Sequence, residues 1–352
     1  MRIALVVPAP FDTISAGYAY DRRIVAALRA AGHDVDVTEL AGNHPLTDDA
    51  ARDAARDALD AMPADRRPVI DGLALPAFAP LTDALRTRRA VGLIHHPTAL
   101  EAGFTEEQRE ALRAAERRAM PALARTIATS AATGERLIAD FGVPSERVAI
   151  IPPGADYPPR STGTGTGTGG AACAILSVGA LVPRKGHDVL LRALARLFDL
   201  EWQLTIAGAD DRDPVHVRTL SALAEKLGIG ARVRFAGPLD DAALEPLWQS
   251  ADLFALATNW EGYPTAIAEA LRRGLPVAVT AGGAAASLVP PEAGVVCQPG
   301  DHEGLSKAMR RLIFSRPLRA DMGAAAWEAG RTLPSWATQA AAFAAALDAE
   351  QP

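Results

Sequence analysis

Short apolar runs alternate with amphipathic stretches along the whole chain, and that alternation constrains the fold more than any single motif. Runs at Ile3–Val7, Asp34–Glu39, Val69–Asp71, Ala90–His95, Thr126–Thr129 and Val148–Ile151 have the length and character of strands. Between them, Tyr18–Ala31, Asp48–Ala61, Pro80–Arg86, Thr105–Ala124 and Ala131–Phe141 read as helices, with Gly32 and Gly142 as stop signals. The second half repeats the pattern. Strands are expected at Cys173–Val182, Gln203–Ala207, Val233–Phe235, Asp252–Ala257, Pro276–Thr280 and Gly294–Val296. Helices are expected at His187–Phe198, Pro214–Leu227, Asp240–Gln249, His302–Phe314, Arg316–Ala329 and Ser335–Leu347. Such alternation predicts βαβ units and parallel sheets.

At 352 residues the chain is long for one core. Ser161–Gly170, STGTGTGTGG, has no apolar residue and reads as a flexible connection between folded halves. The expected architecture is therefore α/β, two Rossmann-like domains facing across a cleft. They span residues 1–160 and 171–330, with residues 161–170 as linker.

Composition narrows the function classes. The chain is 49% hydrophobic and 22% charged, which suits a well-packed globular protein. A formal charge of −6 argues against a nucleic-acid partner. Cys173 and Cys297 are too few and too far apart for a disulfide framework, and no metal-ligand spacing is present. The first apolar run ends at Pro8, too short for a secretory signal, and no stretch reaches the ~18 apolar residues of a membrane span. A cytoplasmic location is expected.

The richest stretch is Asn259–Gly274, NWEGYPTAIAEALRRG, between an apolar strand and a helix stopped by Gly274 and Pro276. Pro264 suits the first helical position. A strand, a loop and a helix N-terminus together make a place for an anion. Glu261 and Glu269 flank it. On spacing alone, Glu269 is accounted for as plainly by a solvated pair with Arg273, four residues on.

A basic turn follows the strand that begins at Cys173: VPRKG, with Arg184 and Lys185. Adjacent cations ahead of a helix make sense around an anion, and snorkelling surface cations are the alternative. The loop Pro8–Gly17 has small residues but no GxGxxG, so a tightly bound dinucleotide is not expected. His95 and His96 end a strand, where side chains look into a ligand crevice; a structural imidazole fits equally. Asp210, Asp211 and Asp213 mimic a metal cluster, but capping of a helix begun by Pro214 explains them. Arg86, Arg88, Arg89, Arg113, Arg117 and Arg118 are either a solvated face or a dock for an anionic lipid surface.

Taken together, SAGYAYDRR, GLIHHP, IPPGAD, LSVGALVPRKGHDVLL, TIAG, VRFAG, ADLFALATNWEGYPTAIAEAL, GLPVAVTAGG and GVVCQPGD resemble the family 4 retaining glycosyltransferases of GT-B fold (glycosyl transferases group 1). The likeness spans nearly the whole chain and is densest from Ala172 to Asp301. It implies a retaining hexosyltransferase; neutralisation of the diphosphate by Arg184 and Lys185 would make a metal unnecessary, and no cofactor is expected. The donor would be a UDP-, GDP- or ADP-sugar, and the acceptor a saccharide or lipid-linked hydroxyl, with peripheral membrane contact compatible with the latter. It places Glu261 near the donor sugar hydroxyls, Glu269 on the ribose, and Arg184 and Lys185 on the diphosphate. Gly262, Tyr263, Pro264 and Thr265 complete the donor loop. Gly17 would approach the diphosphate, and His95 would lie close to the transferred sugar. Residues 1–160 become the acceptor side, with residues 331–352 crossing back onto it. Three departures stand out: Ala180 where many members have Arg, Ala16-Gly17 for paired glycines, and Ala285-Ala286 for Pro-Glu. A nucleotide-sugar epimerase or a non-catalytic nucleotide-sugar binder on the same fold remain alternatives.

Overall fold

The computed structural model describes residues 1–101, 103–163 and 172–348. The chain divides into two compact units, Met1–Gly154 with Pro334–Pro352, and Ala155–Leu333.

The first unit holds a six-stranded parallel sheet of β1 (Arg2–Pro8), β2 (Asp34–Leu40), β3 (Arg67–Asp71), β4 (Val91–Ile94), β5 (Arg125–Ala128) and β6 (Val148–Ile150), in spatial order 2-1-3-4-5-6. Helices α1 (Ala16–Ala30), α2 (Asp49–Ala61), α3 (Thr82–Thr87), α4 (Glu106–Ala119) and α5 (Ala131–Phe141) connect them. Apolar side chains fill both faces of the sheet, as a parallel sheet requires: Val6, Ile70 and Phe78 on one, Ile3, Leu5 and Ile24 on the other.

The second unit repeats the plan with β7 (Cys173–Val178), β8 (Trp202–Ala207), β9 (Val233–Gly237), β10 (Leu253–Leu256), β11 (Val277–Thr280) and β12 (Gly294–Cys297), ordered 12-11-10-7-8-9. Its helices are α6 (His187–Ala195), α7 (Pro214–Lys226), α8 (Asp241–Ser250), α9 (Thr265–Arg272), α10 (His302–Phe314) and α11 (Arg316–Arg331). The last helix, α12 (Trp336–Asp348), belongs to the first unit. There Ala340, Phe343 and Leu347 join the core beside Ile24, and the Gln339 amide donates to the Pro152 carbonyl.

Strand order places the crevices. β1 has β2 on one side and β3 on the other, so the connections diverge at the carboxyl ends of β1 and β3. In the second unit they diverge at β7 and β10. Open parallel sheets take ligands at such switch points.

Several expected boundaries move for local reasons. The run from Cys173 leaves the ladder at Val178, because the chain turns where the Val182 N–H meets the Ala180 carbonyl. The helix expected to reach Ala124 stops at Ala119, just before Pro121. Residues 164–170 of the glycine-rich tract lie outside the described residues. Ser161 and Gly163 ahead of them are bonded to the Arg273 and Gln249 carbonyls, so they pack as part of the second unit. Among the described residues, no helix is long and apolar enough to cross a membrane.

Candidate functional site

The second unit's switch point gathers the basic turn and the first of the two glutamates. After β7 the chain makes a single 3-10 turn, Pro183–Lys185, closed by Gly186 at φ 63°. A Cβ on Gly186 would lie 1.9 Å from the Ala257 carbonyl oxygen, so only glycine lets this turn lie against the end of β10. The Asn259 N–H then donates to the Arg184 carbonyl at 2.8 Å, tying the two loops together.

Across that seam the side chains engage. Glu261 is 5% exposed. Its Oε1 accepts from Lys185 Nζ at 2.7 Å and from Thr258 Oγ1 at 2.8 Å. Arg184 Nη1 donates to the Trp260 carbonyl at 2.6 Å and lies 3.7 Å from Glu261 Oε2. Behind Glu261, Gly282 and Gly283 press backbone to backbone. The Ala284 N–H donates to the Glu261 carbonyl at 2.9 Å, and a Cβ on Gly283 would come within 2.4 Å of that oxygen. The cations are therefore not free charges awaiting an anion: one carboxylate already sits between them.

The helix tip corrects two expectations. Pro264 is the N-cap of α9 rather than its first residue, because its φ of −83° and ψ of 68° are not helical. The N–H groups of Thr265, Ile267 and Ala268 donate to the Tyr263 and Pro264 carbonyls. Most of the donors expected to converge on an anion are thus used within the tip itself. Gly262, Tyr263 and Thr265 are half-buried and Pro264 is buried; burial pushes the Tyr263 phenol up to about 12.

Glu269 lies one turn into α9 and does pair with Arg273, but the arginine end of the pair is buried while Glu269 keeps 31% of its side-chain surface. Arg273 is 8% exposed by side chain and also bonds Glu245 of α8 at 2.6 Å. Its guanidinium packs 5.1 Å from the Trp248 ring.

The first unit builds its own constellation at the ends of β1, β3 and β4. His95, just past β4, donates from Nε2 to Asp21 Oδ1 at 2.9 Å, and Asp71 Oδ2 lies 3.7 Å away. Asp21 is fully buried, Asp71 is 2% exposed, and Oδ2 of Asp21 has no partner among the described residues. Burial alone would lower the His95 pKa, but the Asp21 charge, its hydrogen bond and the Asp71 charge raise it overall. Burial, with Asp21 close by, lifts the Asp71 carboxyl to about 7. Gly17 abuts this group: a Cβ there would sit 3.2 Å from the His95 ring. Tyr20 packs edge-on against the same ring. His96 instead lies 3.9 Å from Glu101.

Asp21, Asp71 and His95 are the one trio of potential metal-binding side chains whose ligand atoms converge among the described residues, within 4.8 Å. A direct hydrogen bond already closes its tightest edge. Asp213 caps α7 by accepting from the His216 N–H. Both cysteines are free, and burial raises their thiols.

No motif in the sequence singles out Asp21 or Asp71, yet each leaves a trace there. Asp21 shares the buried stripe of α1 with Ile24, Val25 and Leu28, where a charge is out of place. Asp71 ends the short run Val69–Asp71, whose other residues are apolar.

Two parallel six-stranded sheets with helices on both faces, each carrying its site at a switch point, define an α/β protein of the GT-B fold. Solved structures agree. Sucrose-phosphate synthase from Thermosynechococcus elongatus superposes with a TM-score of 0.80 at 18% identity, covering 98% of both chains. Anabaena HepE in complex with UDP gives 0.76 at 18%, covering 99% of both. The family described as Glycosyl transferases group 1 matches residues 172–328, and Glycosyltransferase Family 4 matches residues 20–157. The chain belongs to the group 1 glycosyltransferases. Among curated relatives, the D-inositol 3-phosphate glycosyltransferase of Corynebacterium diphtheriae is 29% identical over 275 residues, 74% of this chain and 63% of that protein. Mannosylfructose-phosphate synthase of Agrobacterium fabrum is 26% identical over 224 residues, 60% of this chain and 49% of that protein. The matches thus span less than two thirds of these relatives' own length.

Proposed function

We propose that the protein transfers a hexose-like sugar from a nucleoside diphosphate sugar to a hydroxyl acceptor, with retention at the anomeric carbon and without a metal. The carrying observation is the buried Glu261 held between Lys185 and Arg184 at the second unit's switch point. In this reading a diphosphate joins Glu261 in pairing with the two cations. The carboxylate, fixed by Thr258 and Lys185, is placed to accept from sugar hydroxyls. As the C1–O bond to phosphate breaks, negative charge grows on the leaving oxygen, and fixed cations in a water-poor site stabilise it without reorganising.

In the front-face route we favour, the acceptor oxygen bonds C1 on the side the phosphate leaves, and the acceptor proton passes to a phosphate oxygen. Configuration is kept with no enzyme-bound sugar. The Nε2–Asp21 hydrogen bond leaves Nδ1 of His95 as the ring nitrogen available to a saccharide oxygen, and the two aspartates favour its protonated form. UDP in complex with HepE supports a nucleotide-sugar donor.

The test mixes purified protein with labelled UDP-, GDP- and ADP-sugars and an acceptor pool, with and without EDTA, and reads the product's anomeric configuration by NMR. Transfer with retention, undiminished by EDTA, is expected. Inversion or complete loss on chelation contradicts the mechanism. Binding of donor without turnover on any acceptor would mark the chain as a binder, the alternative attached to the departures at Ala180 and Ala285-Ala286. Release of free nucleotide and epimerised sugar would mark an epimerase.

A further inference from the structure

The amino ends of the first unit's strands carry a second concentration of charge, on the edge of the sheet opposite His95. β1 opens at Arg2 and β3 at Arg67, and Arg88 and Arg89 lead into β4. With Arg66 these arginines line a cavity of about 510 Å³, together with Asp65 and Asp348.

Three of the five arginines hold the fold together. Arg2 bonds Asp65 at 2.6 Å, and Arg66 pairs with Asp34 and Asp36 at 3.0 and 2.8 Å. Arg88 donates to the Leu59 carbonyl at 2.8 Å. Unlike Arg2 and Arg66, neither Arg67 nor Arg89 is ion-paired to a carboxylate among the described residues. Arg67 Nη1 reaches the Arg89 carbonyl at 3.4 Å, a long bond to a neutral group. Burial and the neighbouring Arg89 charge lower the Arg67 pKa, and Asp348 offsets this only from beyond ion-pair distance. Like charges brought together at a cavity wall are unfavourable unless something negative joins them.

Arg89 is also out of place in its backbone. Its φ is 50°, and among the described residues it is the one non-glycine with positive φ. It occupies the left-handed position after α3, where the Ala90 N–H reaches back to the Leu85 carbonyl. Helices α1, α7 and α9 close with the same bond and use Gly32, Gly228 and Gly274. Glycine takes that conformation without the steric penalty a side chain brings. The backbone gives no reason for arginine here, so the reason lies in its side chain.

We infer that this cavity binds a phosphate-bearing anion between Arg67 and Arg89. Guanidinium groups take phosphate oxygens two at a time, and a shared dianion removes the Arg67–Arg89 repulsion. The phosphate comes from a small phosphorylated ligand or from a lipid headgroup, with the same chemistry in either case. The inference does not depend on the sugar-transfer reading.

Calorimetric titration of inorganic pyrophosphate into an Arg184→Ala/Lys185→Ala background isolates this cavity from the basic turn of the second unit. Arg89→Gly supplies the residue the backbone prefers, so its melting temperature should not fall; Arg67→Gln removes the second cation. Pyrophosphate should bind the background protein, and each added substitution should weaken it about tenfold or more. Flotation with phosphatidylcholine vesicles, with and without phosphatidylglycerol, separates the sources: a headgroup site floats the protein only with the anionic lipid, and Arg89→Gly abolishes it. Binding of neither probe by the background protein, or equal binding by Arg89→Gly, overturns the inference.

Discussion

Replacing Glu261 by glutamine keeps the shape of the side chain and removes the charge that separates Lys185 from Arg184. The amide oxygen still accepts from Lys185 and Thr258, but the amide nitrogen turns two donors toward Arg184, 3.7 Å away. Removing one partner of a buried pair typically costs about 3–5 kcal/mol, because the other charge stays behind uncompensated. Lys185 and Arg184 keep 14% and 21% of their side-chain surface. Solvent therefore recovers part of that loss, and about 2–3 kcal/mol is expected. For a unit of this size, that corresponds to a fall in melting temperature of about 4–12 °C. Binding should move the other way: with the carboxylate gone, the cations are freer to meet phosphate, so pyrophosphate binds more tightly to Glu261→Gln while sugar transfer slows. Adding Lys185→Met should restore much of the stability, since both charges of the pair are then removed. Parallel thermal unfolding and calorimetry decide it. An unchanged melting temperature together with unchanged pyrophosphate affinity would refute the claim that Glu261 balances the turn.

Other outcomes follow from the same structure. Asp71 is held near 7 against an ordinary 3.8, so the folded first unit prefers the protonated acid. Its destabilisation grows as pH rises from about 4 and is complete above about 7, at up to about 4 kcal/mol. Asp71→Asn should therefore stabilise at pH 8 and lose that gain by pH 4, as followed by urea unfolding across pH. His187 is buried at the start of α6, and its pKa is lowered to about 4. Its cost is absent above 6.5 and builds as pH falls toward 4, so His187→Gln should flatten the acid side of the stability profile. Gly283→Ala would place a Cβ 2.4 Å from the Glu261 carbonyl oxygen at a φ of 59°. It should lower stability by about 2 kcal/mol or more and weaken nucleotide binding with it, measured by denaturant melts and titration.

The strand–helix alternation is legible in the chain because each buried parallel strand must be a short apolar run, and all the expected strands appear within a few residues of their expected limits. Lys185 and Glu261 stand out as candidates through local signals, a basic turn and a loop after a strand. Their contact does not, because it joins positions 76 residues apart and depends on Gly186 and Gly283 letting backbones touch. The burial of Arg273 is hidden for a similar reason: i,i+4 spacing says two side chains meet, not that Trp248 and Glu245 will cover them. Asp21 and Asp71 come together only once β1, β3 and β4 are neighbours, so strand order, not motif, brings them to His95.

In the function proposed, the Arg184–Lys185 turn, balanced by Glu261, receives the diphosphate of a nucleotide donor. Calorimetric titration of UDP, GDP and ADP into the native protein and into Lys185→Ala tests it most directly. At least one nucleotide should bind the native protein, and should bind Lys185→Ala about tenfold or more weakly, as loss of a charge-assisted contact requires. Equal affinity for both proteins, in a variant that melts normally, would contradict it.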